Sequence, residues 1–242
     1  MKKAVSVTLV LTGLFVSTTV SAKQLWSDFS ISYLNGNDYE LGDNSREVIT
    51  FEHASVHNWG DNFLFIDRTK PDSGDQDTYF ELHPRLSLSY VTGSDLSFGP
   101  IKDIYLAGQW ESKSSTKSTF DNYLTGIGLA LKVPGFRFFK ANLYHVNNEK
   151  KDDDTQMTIA WAAPFKLGDA EFLYDGFVDW ASAESDHASE LNFTSQLKWN
   201  VGKVMGTSSP LYVGIEYAYW NNKFGVKGVD ERNPSLLIKW HF

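Results

Sequence analysis

In the stretch Leu211-Tyr212-Val213-Gly214-Ile215-Glu216-Tyr217-Ala218-Tyr219-Trp220, every second residue is large and apolar: Leu211, Val213, Ile215, Tyr217 and Tyr219. Between them stand Tyr212, Gly214, Glu216, Ala218 and Trp220, a mixed set that includes a carboxylate. A period of two belongs to a β-strand, whose successive side chains point to opposite faces; wound as a helix, the same residues would scatter both sets around the axis. About ten residues is also the length a tilted strand needs to cross a hydrocarbon layer.

The pattern repeats on both sides of that stretch. Leu191, Phe193, Leu197, Trp199 and Val201 alternate with Asn192, Thr194, Gln196, Lys198 and Asn200. Tyr123, Ile127, Leu129, Leu131 and Val133 alternate with Leu124, Gly126, Gly128, Ala130 and Lys132; Phe80, Leu82, Leu86, Leu88 and Tyr90 alternate with Glu81, His83, Arg85, Ser87 and Ser89. The chain closes with Leu236, Ile238, Trp240 and Phe242 on one face and Ser235, Leu237, Lys239 and His241 on the other. About twelve such segments are expected, starting near residues 26, 46, 62, 79, 104, 121, 136, 155, 170, 190, 211 and 233. One face carries almost no charge and the other nearly all of it. A lysine or arginine facing lipid at mid-bilayer costs about 2–4 kcal/mol, whereas a watery lumen exacts no such cost. The sorting therefore predicts an all-β chain folded as a transmembrane antiparallel β-barrel of about 12 strands, its even count returning both termini to the periplasmic side.

Composition fits that reading. Of 242 residues, 15% are aromatic, with 8 Trp, 11 Tyr and 17 Phe, a content suited to aromatic girdles at the two membrane interfaces. Lys2 and Lys3 precede the apolar, hydroxyl-diluted run from Val5 to Val20, and Val20-Ser21-Ala22 offers the small residues of a cleavage site. Residues 1–22 are thus read as a secretory signal peptide cut after Ala22, and residues 23–242 as the barrel. No later apolar run approaches eighteen residues, which excludes a helical membrane protein. An exported chain without cysteine must be stabilised otherwise than by disulfides, and a closed barrel does so by pairing its backbone around the ring. The net charge of −8, with no basic stripe, argues against a nucleic-acid polymer as partner. Outer loops are expected over residues 35–45, 70–77, 112–119, 147–154, 182–189 and 221–232. Shorter turns are expected at 58–61, 134–135 and 164–169, with 92–103 a longer exception.

A resemblance enters with Phe80-Glu81-Leu82-His83-Pro84-Arg85-Leu86-Ser87 and Asp95-Leu96-Ser97-Phe98-Gly99-Pro100-Ile101-Lys102. Together with Phe51-Glu52-His53-Ala54, Asn58-Trp59-Gly60-Asp61 and Phe63-Leu64-Phe65-Ile66-Asp67, these resemble the Tsx-like family of nucleoside-specific channels, to which OmpK-type outer-membrane proteins also belong. The match is specific over roughly residues 47 to 112; elsewhere it is one of layout and length, and the short loops look more like the OmpK branch. The resemblance implies a monomeric twelve-strand barrel in the outer membrane of a Gram-negative bacterium, with a narrow, aromatic-lined lumen that passes nucleosides or similar small polar solutes without a cofactor. It further implies contact with outer-membrane lipid and lipopolysaccharide, and delivery by the barrel assembly machinery through the aromatic C-terminal Phe242. From the OmpK branch it implies bacteriophage as a further partner.

Such a lumen needs aromatic faces for the base and polar groups for the ribose. The inward candidates are Glu52, Glu81, Arg85, Asp175, Phe177, Asp179, Tyr212, Glu216 and Trp220. For each charge two readings stand side by side: a solute contact, or a member of an ion-pair network filling the lumen. Glu81 and Arg85 share a face but lie about 13 Å apart along a strand, so each needs a partner on a neighbouring strand. The Asp95–Lys102 turn reads as structural. Two rivals differ in class. A surface receptor or adhesin would work through its polar loops. A rim hydrolase would need Asp186-His187, which otherwise reads as a solvated loop. His53 and His57, four apart on a strand, are too distant to share a metal, and neither a G-x-S-x-G elbow nor a P-loop is present.

Overall fold

A computed structural model describes residues 22–74 and 76–242 of the chain. The expected leader therefore lies outside the described residues, Ala22 excepted. Twelve strands follow in order: β1 (Gln24–Gly36), β2 (Arg46–His57), β3 (Gly60–Pro71), β4 (Asp77–Ser87), β5 (Ile101–Ser115), β6 (Thr119–Leu131), β7 (Phe138–Asn147), β8 (Asp154–Leu167), β9 (Ala170–Ala181), β10 (Glu190–Asn200), β11 (Leu211–Asn221) and β12 (Glu231–His241). Each pairs antiparallel with its chain neighbour, and β1 pairs with β12, so the sheet is a closed barrel. Every strand start lies within three residues of the one expected from alternation.

The seam joins Ser30–Gly36 of β1 to Ser235–His241 of β12. The amide of Phe242 extends it by donating to the Phe29 carbonyl at 3.0 Å. Outside, the Phe242 ring sits 6.2 Å from Phe29 and 5.3 Å from Trp240, covering the join with apolar surface.

The radial distribution is the reverse of a water-soluble protein's. Leu106, Ile127, Leu143, Leu197, Ile215, Leu236 and Ile238 are exposed on the outer surface, while Ser30, Arg85, Lys198, Glu231, Asn233 and Lys239 are buried inside. Charged groups of outward parity, such as Glu47, Arg68, Asp121 and Arg232, stand near the strand ends opposite the termini. Small apolar clusters do occur inside. Ala107, Leu124, Tyr144 and Val146 form one, Leu34, Val48 and Leu237 another, and Ala162, Leu173 and Tyr212 a third. The lumen is thus partly filled by side chains.

Alternation over-extended three strands, β6 among them, which ends at Leu131 rather than Val133. Leu88 and Tyr90 continue the period of β4 in sequence, yet the strand ends at Ser87 and a short helix, α1 (Leu88–Thr92), follows. The cause is a cap: the Ser87 hydroxyl accepts from the Tyr90 amide at 3.0 Å, and Asp103 accepts from Ser89 Oγ at 2.6 Å and from Ser87 Oγ at 2.5 Å. Likewise β10 stops at Asn200, and Val201 caps α2 (Gly202–Met205). Pro164 to Leu167, expected in a turn, belong to β8; the turn is residues 168–169 alone. The expected contrast in loop length is therefore weaker than the sequence suggests. Connections 88–100 and 201–210, at the end carrying the termini, exceed the longest loops at the far end, 37–45 and 222–230.

Close strand approach requires glycine at position 126. A Cβ there would stand 1.9 Å from the Leu143 carbonyl oxygen and 2.9 Å from the Tyr144 Cα, both backbone atoms that cannot yield without breaking the β6–β7 ladder. Gly126→Val is expected to destabilise the barrel by about 1–3 kcal/mol, the usual range for overpacking. A lower urea midpoint for loss of heat-modifiable migration in detergent would report it; an unchanged midpoint would mean the ladder adjusts freely.

Candidate functional site: the lumen

Two walls line the interior. On the first, β3 and β4 place residues opposite one another in rows. Starting from the terminal end these are Asp61 with Arg85, Phe63 with His83, Phe65 with Glu81, and Asp67 with Tyr79. The rings form a ladder: Phe63 and Phe65 at 6.1 Å, Phe65 and Tyr79 at 5.9 Å, Tyr79 and Phe120 of β6 at 6.4 Å, with His83 5.7 Å from Phe63. Polar groups run beside it. Tyr79 Oη donates to Glu81 at 2.5 Å, and Gln109 Nε2 donates to Glu81 at 3.2 Å and to Glu111 at 2.8 Å. Thr50 donates to Asp67 at 2.6 Å. An aromatic strip flanked by carboxylates and amides can take a flat heterocycle on its faces and hydroxyls on its edge.

The second wall is built by β9, β10 and β11. Gln196 pairs across to Asp175 and Glu216, Thr194 to Phe177 and Ala218, and Asn192 to Asp179 and Trp220. Six of the nine candidates thus belong to this wall, Tyr212 standing nearer its terminal end, opposite Asn200. Gln196 Nε2 donates to Glu216 at 2.7 Å, and Thr158 donates to Asp179 at 2.5 Å. Lys198 donates to Asp175 at 2.8 Å and to Gln196 at 2.6 Å, with its ammonium 5.9 Å from the Tyr212 ring. Tyr212 is 9% exposed and meets His241 edge-on at 5.5 Å. Glu52 lies on β2, ion-paired to Lys239 and accepting from Ser30 at 3.1 Å.

The two readings of the charges separate here. Arg85 is 2% exposed; its Nε and Nη2 grip Asp61 at 3.0 and 2.7 Å, Nη1 donates to Asn142 at 3.2 Å, and the guanidinium stacks 4.2 Å from the Tyr105 centroid. Lys140 adds a bond to Asp61 at 3.0 Å. This is a brace tying β3, β4 and β7 together, with its hydrogen bonds spent inside the protein. Glu81, Asp179 and Glu216 instead accept from hydroxyl and amide donors, Tyr79 and Gln109, Thr158, and Gln196.

Sequence reasoning passed over Phe63, Phe65, Tyr79 and Phe120. A signal was available: Phe63 and Phe65 share strand parity with Asp61 and Asp67, and two carboxylates on one face mark it as the watery one. His53 and His57, considered for a metal, each lie against a ring instead, His53 on Phe29 at 4.2 Å and His57 on Trp59 at 4.8 Å.

At the far rim, His187 is held between two carboxylates, Nδ1 2.5 Å from Asp186 and Nε2 3.2 Å from Asp154. The Ser185 hydroxyl donates to Asp152 at 2.5 Å rather than to His187. The cluster ties loops 148–153 and 182–189 together, and the His187 side chain, 5% exposed, is enclosed by it rather than solvated as the sequence suggested.

A closed twelve-strand barrel with an apolar exterior and a polar, aromatic-lined interior is an outer-membrane channel. The KdgM porin has the same fold at 9% identity, with a TM-score of 0.51 covering 88% of this chain and 99% of that one; the NanC porin gives 0.50 over 88% and 98%. The family model of the nucleoside-specific channel-forming protein Tsx matches residues 22–235, and the chain belongs to that family. Outer membrane protein OmpK of Vibrio parahaemolyticus is 26% identical over 249 residues, 91% of this chain and 92% of the relative. The nucleoside-specific channel-forming protein Tsx of Salmonella typhimurium is also 26% identical over 249 residues, covering 90% and 83%. The chain accordingly resides in the outer membrane.

Two outcomes are expected. Arg85→Ala leaves Asp61 buried with Lys140 alone and should destabilise the barrel by about 3–5 kcal/mol, as loss of one partner of a buried ion pair does; a denaturation midpoint equal to wild type would refute the brace. At the rim, Asp186 accepts from His187 and from the Asp152 amide, which hold its carboxyl below its ordinary value of 3.8. A depressed carboxylate stabilises above the unfolded value and loses that contribution as pH falls through the folded one. Limited proteolysis should therefore cut loops 148–153 and 182–189 faster below pH 3.8 than at pH 7, and Asp186→Asn should abolish the difference.

Proposed function

We propose that the barrel passes nucleosides and similar small polar solutes across the outer membrane by passive diffusion along the two lumen walls. The observation that carries this reading is the ladder Phe63, Phe65, Tyr79 and Phe120, with Glu81 hydrogen-bonded beside it. A nucleoside joins a flat base to a polyhydroxylated sugar, and that wall offers ring faces next to acceptors. Stacking on an aromatic side chain contributes about 1–3 kcal/mol per base, enough to attract a solute and weak enough to release it. The opposite wall supplies Phe177 as a further ring and Asp179, Glu216 and Trp220 as further contacts. The nucleoside channels among the relatives support the substrate class.

In this reading the channel works as a monomer, since each barrel has its own lumen and closes without a second copy. Its apolar belt contacts lipid and lipopolysaccharide. The Phe242 ring, packed on the β1–β12 seam, fits an assembly signal read when the barrel closes. The chemistry is confined to reversible contacts, with no bond made or broken.

Phe65→Ala and Tyr79→Ala should each slow adenosine entry into proteoliposomes severalfold while leaving entry of a sugar of similar mass unchanged or faster. Phe177→Ala and Tyr212→Ala provide the same comparison on the second wall. Tyr212, more enclosed and nearer the terminal end, should have the smaller effect. Equal adenosine and sugar rates in all four variants and in wild type would reduce the lumen to a general pore.

A further inference from the structure

Between β11 and β12 the chain makes a tight inward turn, residues 222–230, that the solute pathway does not explain. Within it, Lys223 points its ammonium into the barrel mouth, where Glu231 Oε1 lies at 2.5 Å. Three rings surround the same nitrogen: Trp220 with its centroid at 5.2 Å, Phe224 at 5.3 Å and Tyr39 at 5.7 Å. The Lys223 and Glu231 side chains are 7% and 1% exposed. Glu231 also holds the first outer loop, accepting the Glu40 amide through its other oxygen at 3.0 Å. Tyr39 is held from that loop's side by Arg46, whose guanidinium lies 4.4 Å from its centroid.

An ion pair alone requires only the carboxylate. Three ring faces within about 6 Å of one ammonium, backed by an anion, form the constellation by which proteins recognise alkylammonium and quaternary ammonium groups. Trp220 and Glu231 have inward strand parity, so the box opens toward the lumen. The turn that delivers Lys223 is itself held in an unfavourable backbone. Asn222 has φ 49° and Phe224 φ 58°, left-handed values that side chains other than glycine adopt at a cost. The backbone is bent so as to bring the lysine to the rings.

We propose that Tyr39, Trp220, Phe224 and Glu231 form an alkylammonium-binding site at the outer mouth, occupied here by the chain's own Lys223 as a tethered ligand. Solutes bearing a protonated amine or a quaternary ammonium group bind there in competition with Lys223. Tethering gives the lysine a high effective concentration, so the wild-type site responds only to concentrated amine, and removing the lysine side chain unmasks it. The site shares Trp220 with the second wall but none of the ladder of Phe63, Phe65, Tyr79 and Phe120 that carries the nucleoside reading, so its failure would leave that reading intact.

The probe is tetramethylammonium, titrated against the protein in a detergent without a choline headgroup and followed by saturation-transfer NMR. Lys223→Ala should bind it at least tenfold more tightly than wild type. Adding Glu231→Gln or Phe224→Ala to that variant should return the affinity to near the wild-type level, and sodium at equal ionic strength should not compete. Lys223→Met, which refills the box with an uncharged chain, should bind no better than wild type. Should Lys223→Ala fail to show heat-modifiable migration, Lys223→Gln serves in its place, with a smaller gain in the same direction. Binding by the folded lysine variant no tighter than wild type, or unaffected by Glu231→Gln and Phe224→Ala, would overturn the site and leave Lys223–Glu231 a plain loop latch.

Discussion

In hydrocarbon there is no water to satisfy an amide or a carbonyl, so a strand crossing a membrane must find a partner on both edges. Every other feature of this barrel follows from that requirement. It forces β1 onto β12, and at that seam the Phe242 amide adds one more bond to Phe29 while its ring covers the join. Closure fixes the parity of all twelve strands. Once one face meets acyl chains, the alternate face must take Glu81, Arg85, Lys198, Glu216 and Lys239, because those groups have nowhere else to go.

The interior then has to be stable while remaining passable. Arg85 shows one solution: a cation surrounded by Asp61, Asn142 and the Tyr105 ring, committed to holding three strands in place. Lys198 with Asp175 and Lys239 with Glu52 do similar work on the other side. Against these braces stand carboxylates with other partners: Glu81 meets Tyr79, Gln109 and, at 2.7 Å, the His83 imidazole, and Glu216 accepts from Gln196. Charge inside the barrel thus divides into carboxylates locked to a lysine or arginine and carboxylates held by hydroxyl, amide and imidazole groups, and the kind of partner distinguishes them.

Much of this was legible in the amino-acid sequence. A period of two depends only on backbone geometry, so the twelve strands and the inward parity of Glu52, Asp175 and Asp179 could be read directly. Capping is harder to see: Ser87 ends β4 because its hydroxyl and the distant Asp103 capture local groups, a contact made across the sheet. The pairing of Arg85 with Asp61 depends on register between strands, which alternation within one strand leaves open. For the same reason the ring ladder was missed, although Phe63 and Phe65 lie in the stretch that carried the family resemblance. Their face could have been assigned from Asp61 and Asp67, but their contact with Tyr79 and Phe120 needed the register of three hairpins. The inward fold of the outer turns, with Lys223 among rings, left no periodic trace at all.

The account depends above all on a lumen that holds nucleosides briefly as they pass. Single-channel recording in planar bilayers tests this most directly, with adenosine added at rising concentration against a constant salt background. A saturable fall in current with adenosine, absent with ribose, is the result expected of rings that stack a base inside the conducting path. Current indifferent to adenosine at every concentration would contradict it.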